Sequence, residues 1–369
     1  MPIFQPDNRE IMEQGTAKYK ILALGEIHQF IDYIDNDFHC VSIHKRKNNK
    51  YRNGKSFSLK SFFSLRRKIK NGYYDLVLCG SNPFPIHLHD RSLFKNIRNF
   101  LYALFFDFPS LGLSMLPLLL RDTEVPVAGI NSGDKPRIPK EDFYLLKRCS
   151  YYFMRELPQN KRLLFLNANK RSNAMEAIKD NPFYNEIIKK ICPISLGVSD
   201  HVAEYKRLNS KDIDIFFCGD IKNSTVREEG INILKRLEDE GHKVLYITQR
   251  IPFDEFYDYC SRSWLVWSPG GLGWDCWRHY EVSLAESVPV INYPTIIRYR
   301  PLVEGEHCFY YGVEGEHLYQ VMKDALRNKD KLKHMGETAR KHCLRYHTRS
   351  RILQHIAETT LAKANQRGK

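Results

Sequence analysis

This 369-residue chain lacks the signals that would place it in several large classes. Its most apolar stretch, residues 100–120, contains Asp107, Pro109, Gly112 and Pro117, and two prolines with a carboxylate argue against a spanning helix. That stretch reads as a buried helix pair broken at Pro109, or as a surface-dipping segment flanked by Arg91, Lys95, Arg98 and Arg121. The polar N-terminus has no apolar core segment, which predicts the absence of a secretory leader. Nine cysteines are scattered at Cys40, Cys79, Cys149, Cys192, Cys218, Cys260, Cys276, Cys308 and Cys343, with no CxxC pair. An odd, unpaired set predicts a reducing compartment, hence the cytoplasm, without a disulfide framework or a cysteine zinc site. No GxGxxG follows the first apolar strand, which disfavours a nicotinamide or flavin dehydrogenase. No GxxxxGK[ST] occurs, which excludes P-loop nucleotide hydrolysis. His87-Leu88-His89 has no third ligand in sequence, so no metal is expected there.

What is present is an ordinary folded composition with an excess of positive charge. Hydrophobic residues make up 43% and charged residues 27%, and the formal net charge is +14. The excess favours an anionic partner. It is concentrated in residues 44–70, where eleven Lys or Arg occur without a single acid and with Phe57, Phe62 and Phe63 interleaved. This segment reads as a solvated loop, as a patch for an anionic acceptor or lipid surface, or as a single-strand binding surface. The polar ends, including residues 362–369, are expected to fray.

Short apolar runs alternate with helical patterns in both halves of the chain. In the first half the runs are 19–24, 75–80, 125–130 and 151–154, closing in Glu26 and His28, Ser81 and Asn82, Asp134, and Arg155 with Glu156 respectively. In the second half they are 214–219, 243–248, 264–267 and 288–292, with helices at 227–240, 253–262, 317–327, 330–346 and 349–364. Such alternation predicts parallel sheets with crossover helices, whose ligands gather beyond the C-terminal strand ends. The expected architecture is two Rossmann-like domains around a cleft, 1–170 and 171–346, with 347–369 as a C-terminal crossover helix and tail.

The most informative segment runs from Trp267 to Ile291. Trp267 ends a strand; Ser268-Pro269-Gly270-Gly271-Leu272-Gly273 forms a loop; a helix carrying Arg278, Tyr280 and Glu281 follows, then the strand starting at Val288. Glycines allow close backbone approach, a helix N-terminus favours anions, and an arginine fork fits a diphosphate. Glu281, one turn after Arg278, can accept hydrogen bonds from sugar or ribose hydroxyls.

The pattern Arg278-His279-Tyr280-Glu281-Val282-Ser283-Leu284-Ala285-Glu286-Ser287-Val288-Pro289-Val290 resembles the donor-binding signature of group 1 and exostosin-like glycosyltransferases. With the start of the second half and His347-Thr348, the resemblance spans roughly residues 190–360. It implies the GT-B fold: two Rossmann-like domains facing a cleft, with the C-terminal helix returning to the first. It implies transfer of a sugar from a nucleotide-diphosphate donor to a glycan or glycolipid acceptor, in cell-surface polysaccharide or lipopolysaccharide synthesis, with DNA or protein as alternative acceptors. A catalytically silent module binding an anionic polymer is the alternative outside enzymes. Glu281 and Tyr280 would bind the donor; Arg278 and the backbone of Gly270, Gly271 and Gly273 would meet the diphosphate; Gly219 would allow close approach; Lys222 or Arg227 would neutralise phosphate charge. Arg250, which follows a strand, reads as a contact to phosphate or base or as a solvated loop arginine. No cofactor and no metal are implied, and Asp212-Ile213-Asp214 leads into a strand rather than forming a donor loop. Gly273 stands where the family's earlier glutamate would be, and Ser287 replaces its glycine before Pro-Val. An inverting transfer needs a general base, for which Glu26, His28, Asp90 and Asp134 are candidates. Peripheral membrane contact is expected through 44–70 and 91–121, on the inner face of the membrane.

Overall fold

In the computed structural model the described residues are 19–24, 38–39, 59–80, 97–98, 101, 116–139, 142–168, 178–205, 210–222, 225–312 and 315–367. The chain divides into two compact units, Met1–Ile194 with Leu353–Lys369, and Ser195–Ile352. The first boundary lies beyond the residue 170 read from sequence because the strand Ile191–Pro193 joins the first sheet. Its Pro193 is tolerated because this is an edge strand, where a missing N–H breaks no ladder on the open side.

The first unit is built on six parallel strands: β1 (Ile21–Leu24), β2 (Phe38–His39), β3 (Leu76–Gly80), β4 (Val127–Asn131), β5 (Tyr151–Met154) and β6 (Ile191–Pro193). Their order is β2-β1-β3-β4-β5-β6. The inner strands are apolar without alternation, as in β3, Leu-Val-Leu-Cys-Gly, where every residue is buried. That pattern requires both faces of the sheet to be covered. The described helices of this unit include α1 (Leu59–Lys70), α2 (Leu116–Leu119), α3 (Phe143–Arg148) and α4 (Pro182–Lys190). Asn181 caps α4 by accepting a 2.9 Å hydrogen bond from the Phe183 amide, with Pro182 at the first helical position.

The second unit repeats the plan with β7 (Ile213–Cys218), β8 (Val244–Ile247), β9 (Ser263–Trp267), β10 (Val288–Asn292) and β11 (Phe309–Tyr311), all parallel in the order β8-β7-β9-β10-β11. Side chains along β7 alternate between two cores. Phe216 packs with Phe256 and Tyr257 of α6 (Phe253–Arg262) and with Tyr280 and Val282 of α7 (Trp277–Leu284). Ile215 and Phe217 pack on the other face with Ile231, Leu234 and Leu237 of α5 (Thr225–Asp239), Leu318 and Met322 of α8 (Gly315–Leu326), and Leu332 and Met335 of α9 (Lys329–Tyr346). Each fully buried large side chain here contributes roughly 2–3 kcal/mol of transfer free energy. Helix α5 is followed by Gly241 at φ +95°, a left-handed backbone suited to glycine, which stops the helix as its position predicts. Helix α10 (Arg349–Arg367) starts in the second unit and continues through the residues that composition marks as a frayed tail. Its buried Ile352, Leu353, Ile356 and Ala357 supply an anchoring that polarity at its end did not reveal.

Both sheets share one winding. From the first strand of each unit the chain moves outward to the second strand, then crosses back so that the third strand flanks the first on its other side. The crevice of such a sheet opens beyond the carboxyl ends of the first and third strands. In the second unit those ends are Cys218-Gly219 and Trp267-Ser268. In the first unit they lead into Glu26 and His28 and into Ser81 and Asn82, which lie outside the described residues, as do Asp90, His87 and His89. Most of 91–121 and all of 44–58 also lie outside them. Among the described residues no helix is long and apolar enough to cross a membrane.

Candidate donor site

Gly219 and Arg278 meet at the switch point of the second sheet. A Cβ on Gly219 would lie 2.9 Å from Arg278 Nη2, so only glycine leaves the guanidinium where it is. The guanidinium carbon stands 5.6 Å from the centre of the Phe217 ring. Arg278 Nη1 is buried and makes no hydrogen bond within the protein. A buried cationic N–H without an acceptor is costly, and an anionic oxygen is the partner that would remove the penalty.

Arg227 works beside it. Its Nη1 donates to the Asp220 carbonyl at 2.6 Å and its Nη2 to the Gly270 carbonyl at 3.1 Å. It therefore ties the loop after β7 to the glycine loop after β9, while its Nε stays buried and unbonded. Burial, and then the nearby charge of Arg278, pull its basicity below the usual arginine value. Two like charges held together in this way favour a ligand of opposite sign.

The glycine loop is shaped by its own amides. Gly270 N–H donates to Asn292 Oδ1 at 2.6 Å, and Gly271 N–H to the Gly273 carbonyl at 2.8 Å. These two amides are thus occupied in building the loop. Asn292, at the carboxyl end of β10, also accepts from Trp274 Nε1 through its carbonyl at 2.9 Å.

His279 holds the loop from below. Its Nε2 lies 3.0 Å from the Trp274 carbonyl and its Nδ1 2.8 Å from Ser268 Oγ. A carbonyl can only accept, so the proton sits on Nε2 and Nδ1 accepts from the serine hydroxyl. Burial, with added repulsion from Arg278 and Arg298, pushes its pKa down to about 3, so the ring is neutral. Asp275 makes the next tie, accepting from the Leu196 amide and from Tyr280 Oη, each at 2.5 Å. Tyr280 is buried, with its ring stacked on His347 at 4.6 Å. Its hydroxyl donates to Asp275, so Tyr280 positions the loop. His347 repeats the chemistry of His279, with Nε2 2.8 Å from the Arg300 carbonyl and Nδ1 2.9 Å from Ser195 Oγ. Its pKa also falls to about 3, chiefly through burial.

Glu281 lies one turn beyond Arg278 and is partly buried. Burial pushes its carboxyl up to about 7, against the pull of Arg278 and Arg349. Hydroxyl donors arriving from a ligand would stabilise the ionised form. Lys222 and Arg250 are exposed, in the loops after β7 and β8, at the same carboxyl edge of the sheet.

Asp134 belongs to the first unit, where it follows β4. Its Oδ1 accepts from Arg155 Nη2 at 2.5 Å, and Arg155 Nε donates to Glu156 at 3.2 Å. A carboxylate paired in this way is a poorer candidate base than its strand-end position suggested. Among the described residues no group of His, Cys, Asp or Glu gathers in the number needed to hold a metal ion, and the described cysteines are free.

Gly219→Ala is expected to leave folding nearly unchanged and to weaken diphosphate binding by about tenfold. The intruding methyl meets the far end of a flexible side chain, which moves aside and loses its aim. Urea unfolding and calorimetric titration with UDP separate the two effects, and unaltered UDP affinity would contradict the placement of Arg278.

No protein-family profile matches the chain, and no curated protein matches its sequence. Solved structures do match along nearly its whole length. One is a glycosyltransferase from Rickettsia africae, with a TM-score of 0.52 at 12% identity, covering 94% of this chain and 99% of that one. Another is an alpha-glucosyltransferase in complex with UDP and a mismatched 13-mer DNA, with a TM-score of 0.53 at 9% identity, covering 93% and 100%. A third is HepE of Anabaena in complex with UDP and glucose, with a TM-score of 0.51 at 13% identity, covering 92% and 99%. The two parallel, doubly wound sheets of this chain are those of a GT-B type glycosyltransferase fold.

Proposed function

We propose that this protein transfers a glycosyl group from a nucleotide-diphosphate sugar bound at the carboxyl edge of the second sheet. The observation that carries the reading is Arg278, whose buried Nη1 has no partner in the protein and whose Nη2 lies against Gly219 at the switch point. Arg278 takes the diphosphate, Glu281 takes ribose or sugar hydroxyls, and Arg227 holds the two loops together while adding positive charge. Lys222 and Arg250 attract the donor from the rim. As the glycosidic bond to the diphosphate breaks, negative charge grows on the leaving oxygen, and these cations stabilise it in place of a metal. The Arg278-x-x-Glu281 spacing, shared with group 1 and exostosin-like enzymes, supports the same roles. An inverting transfer would draw its base from Glu26, His28 or Asp134.

The acceptor in this reading is a glycan or glycolipid of a cell-surface polysaccharide or lipopolysaccharide, and the charge of +14 suits an anionic one. A DNA acceptor is the second reading, favoured by that charge and by the DNA bound in the alpha-glucosyltransferase of the same fold.

A thermal-shift panel of UDP, GDP, ADP and their glucose conjugates tests the donor. A ligand at a hundred times its Kd adds ~2.7 kcal/mol, enough to raise Tm by roughly 5 °C or more. No shift with any member would sink the donor reading. Incubation with the labelled conjugate then separates acceptors, since label enters a glycolipid extract in the first reading and duplex DNA in the second.

A further inference from the structure

We propose that helix α1, with the short helix α2 beside it, is a docking surface for an anionic lipid bilayer. The geometry of α1 carries the argument. Phe62, Leu65 and Ile69 are buried, and their spacing of three and four puts them on the face turned to the core. Lys60, Phe63, Arg67 and Lys70, spaced three, four and three apart, share the opposite face and are all exposed. The stripe is thus a phenylalanine set among three cations, and the helix contains no acid to offset them.

Phe63 is 65% exposed, a large apolar ring held in solvent. Leu118 of α2 is 51% exposed, and Arg66 of α1 donates from Nη1 to its carbonyl. That bond brings the second apolar side chain alongside the flank of the stripe. Arg121 follows α2 and is exposed with its neighbour Asp122, 3.6 Å away. Lys68 is turned aside onto the rings of Tyr73 and Tyr74, at 4.7 and 5.7 Å, so it braces the helix end.

An anionic bilayer satisfies this surface. Lipid phosphates pair with Lys60, Arg67 and Lys70, while Phe63 and Leu118 enter the boundary between headgroups and acyl chains. A soluble polyanion would meet the cations but give the two apolar side chains no partner. The proposed contact is made by side chains of α1 and α2 alone and invokes no spanning segment. The surface lies in the first unit, whereas the donor residues lie in the second, so the two can fail separately.

The test is flotation of the full chain with phosphatidylcholine vesicles containing roughly one-third phosphatidylglycerol, beside vesicles of phosphatidylcholine alone. The protein is expected to float with the anionic vesicles, to be released by high salt, and to ignore the neutral ones. Each cation near the surface is worth about fivefold in partition, so the triple variant Lys60→Gln, Arg67→Gln, Lys70→Gln should lose on the order of a hundredfold. Phe63→Ser should lose about fivefold to tenfold on anionic vesicles and keep its affinity for heparin. Both variants should keep the parent's Tm and its response to UDP. Equal binding to both vesicle types, or full retention in the triple variant, overturns the proposal. If Phe63→Ser floats like the parent while the triple variant loses single-stranded DNA binding, the surface is a nucleic-acid site instead.

Discussion

Arg278→Ala is expected to weaken the binding of UDP, or of whichever nucleoside diphosphate stabilises the parent, by roughly thirtyfold to a hundredfold or more. A hydrogen bond between charged partners contributes about 1.5–3 kcal/mol, and a two-pronged arginine clamp lies at the upper end. The loss in kcat/KM should be larger, because charge on the diphosphate grows as the glycosidic bond breaks. Folding should hardly suffer. Nη1 satisfies no protein acceptor, and removing the charge relieves its repulsion of Arg227. Arg278→Lys should recover only part of the affinity, since an ammonium restores the charge but not the planar fork. Calorimetric titration beside urea unfolding measures both sides. An alanine variant that binds the diphosphate within twofold of the parent would remove Arg278 from the site.

Acid should destabilise the second unit, and Glu281 should partly oppose it. His279 and His347 have pKa values near 3 in the fold and near 6.5 when unfolded. Between those values the unfolded chain binds more protons, so the stability they confer is complete above about pH 6.5 and is lost as pH falls. From pH 7 to pH 5 each loses about 2 kcal/mol, or about 4 kcal/mol together. Burial also lowers His307 and His342, which act in the same direction. Glu281 has the opposite sign. Its folded value of about 7 exceeds the ordinary glutamate value of 4.5, so the fold gains about 2 kcal/mol from it over the same interval. Glu281→Gln abolishes that gain, so its stability should drop by about 2 kcal/mol more than the parent's between pH 7 and pH 5. Urea midpoints at the two pH values decide the matter, and equal drops in parent and variant would show that Glu281 does not titrate as described.

The strands were legible wherever a short apolar run ended in a small or polar residue. Runs at 151–154 and 288–292 match β5 and β10 residue for residue, because buried parallel strands read as continuous apolar blocks. The strand Ile191–Pro193 was not legible: it is short, it contains a proline, and its pairing with β5 depends on a partner about forty residues away. Arg278 and Glu281 could be picked out because glycines and a helix start precede them in sequence. His279, Asp275 and Asn292 could not. Their partners are the hydroxyl of Ser268, the amide of Leu196 and the amide of Gly270, none of which local periodicity brings near. Asn292 offered one faint signal, a polar side chain closing an apolar strand at the sheet's ligand edge.

By itself the sequence determined the class of fold, the two-part organisation and the basic character of residues 44–70, since burial period, turn residues and charge are local properties. Only the tertiary structure decided which groups are free to act. It committed the amides of Gly270 and Gly271 and the hydroxyl of Tyr280 to the loop, paired Asp134 with Arg155, and left Arg278 Nη1 buried without a partner. Whether a polar atom is spent on its own protein or kept for a ligand depends on neighbours distant in the chain, and only the folded chain brings those neighbours together.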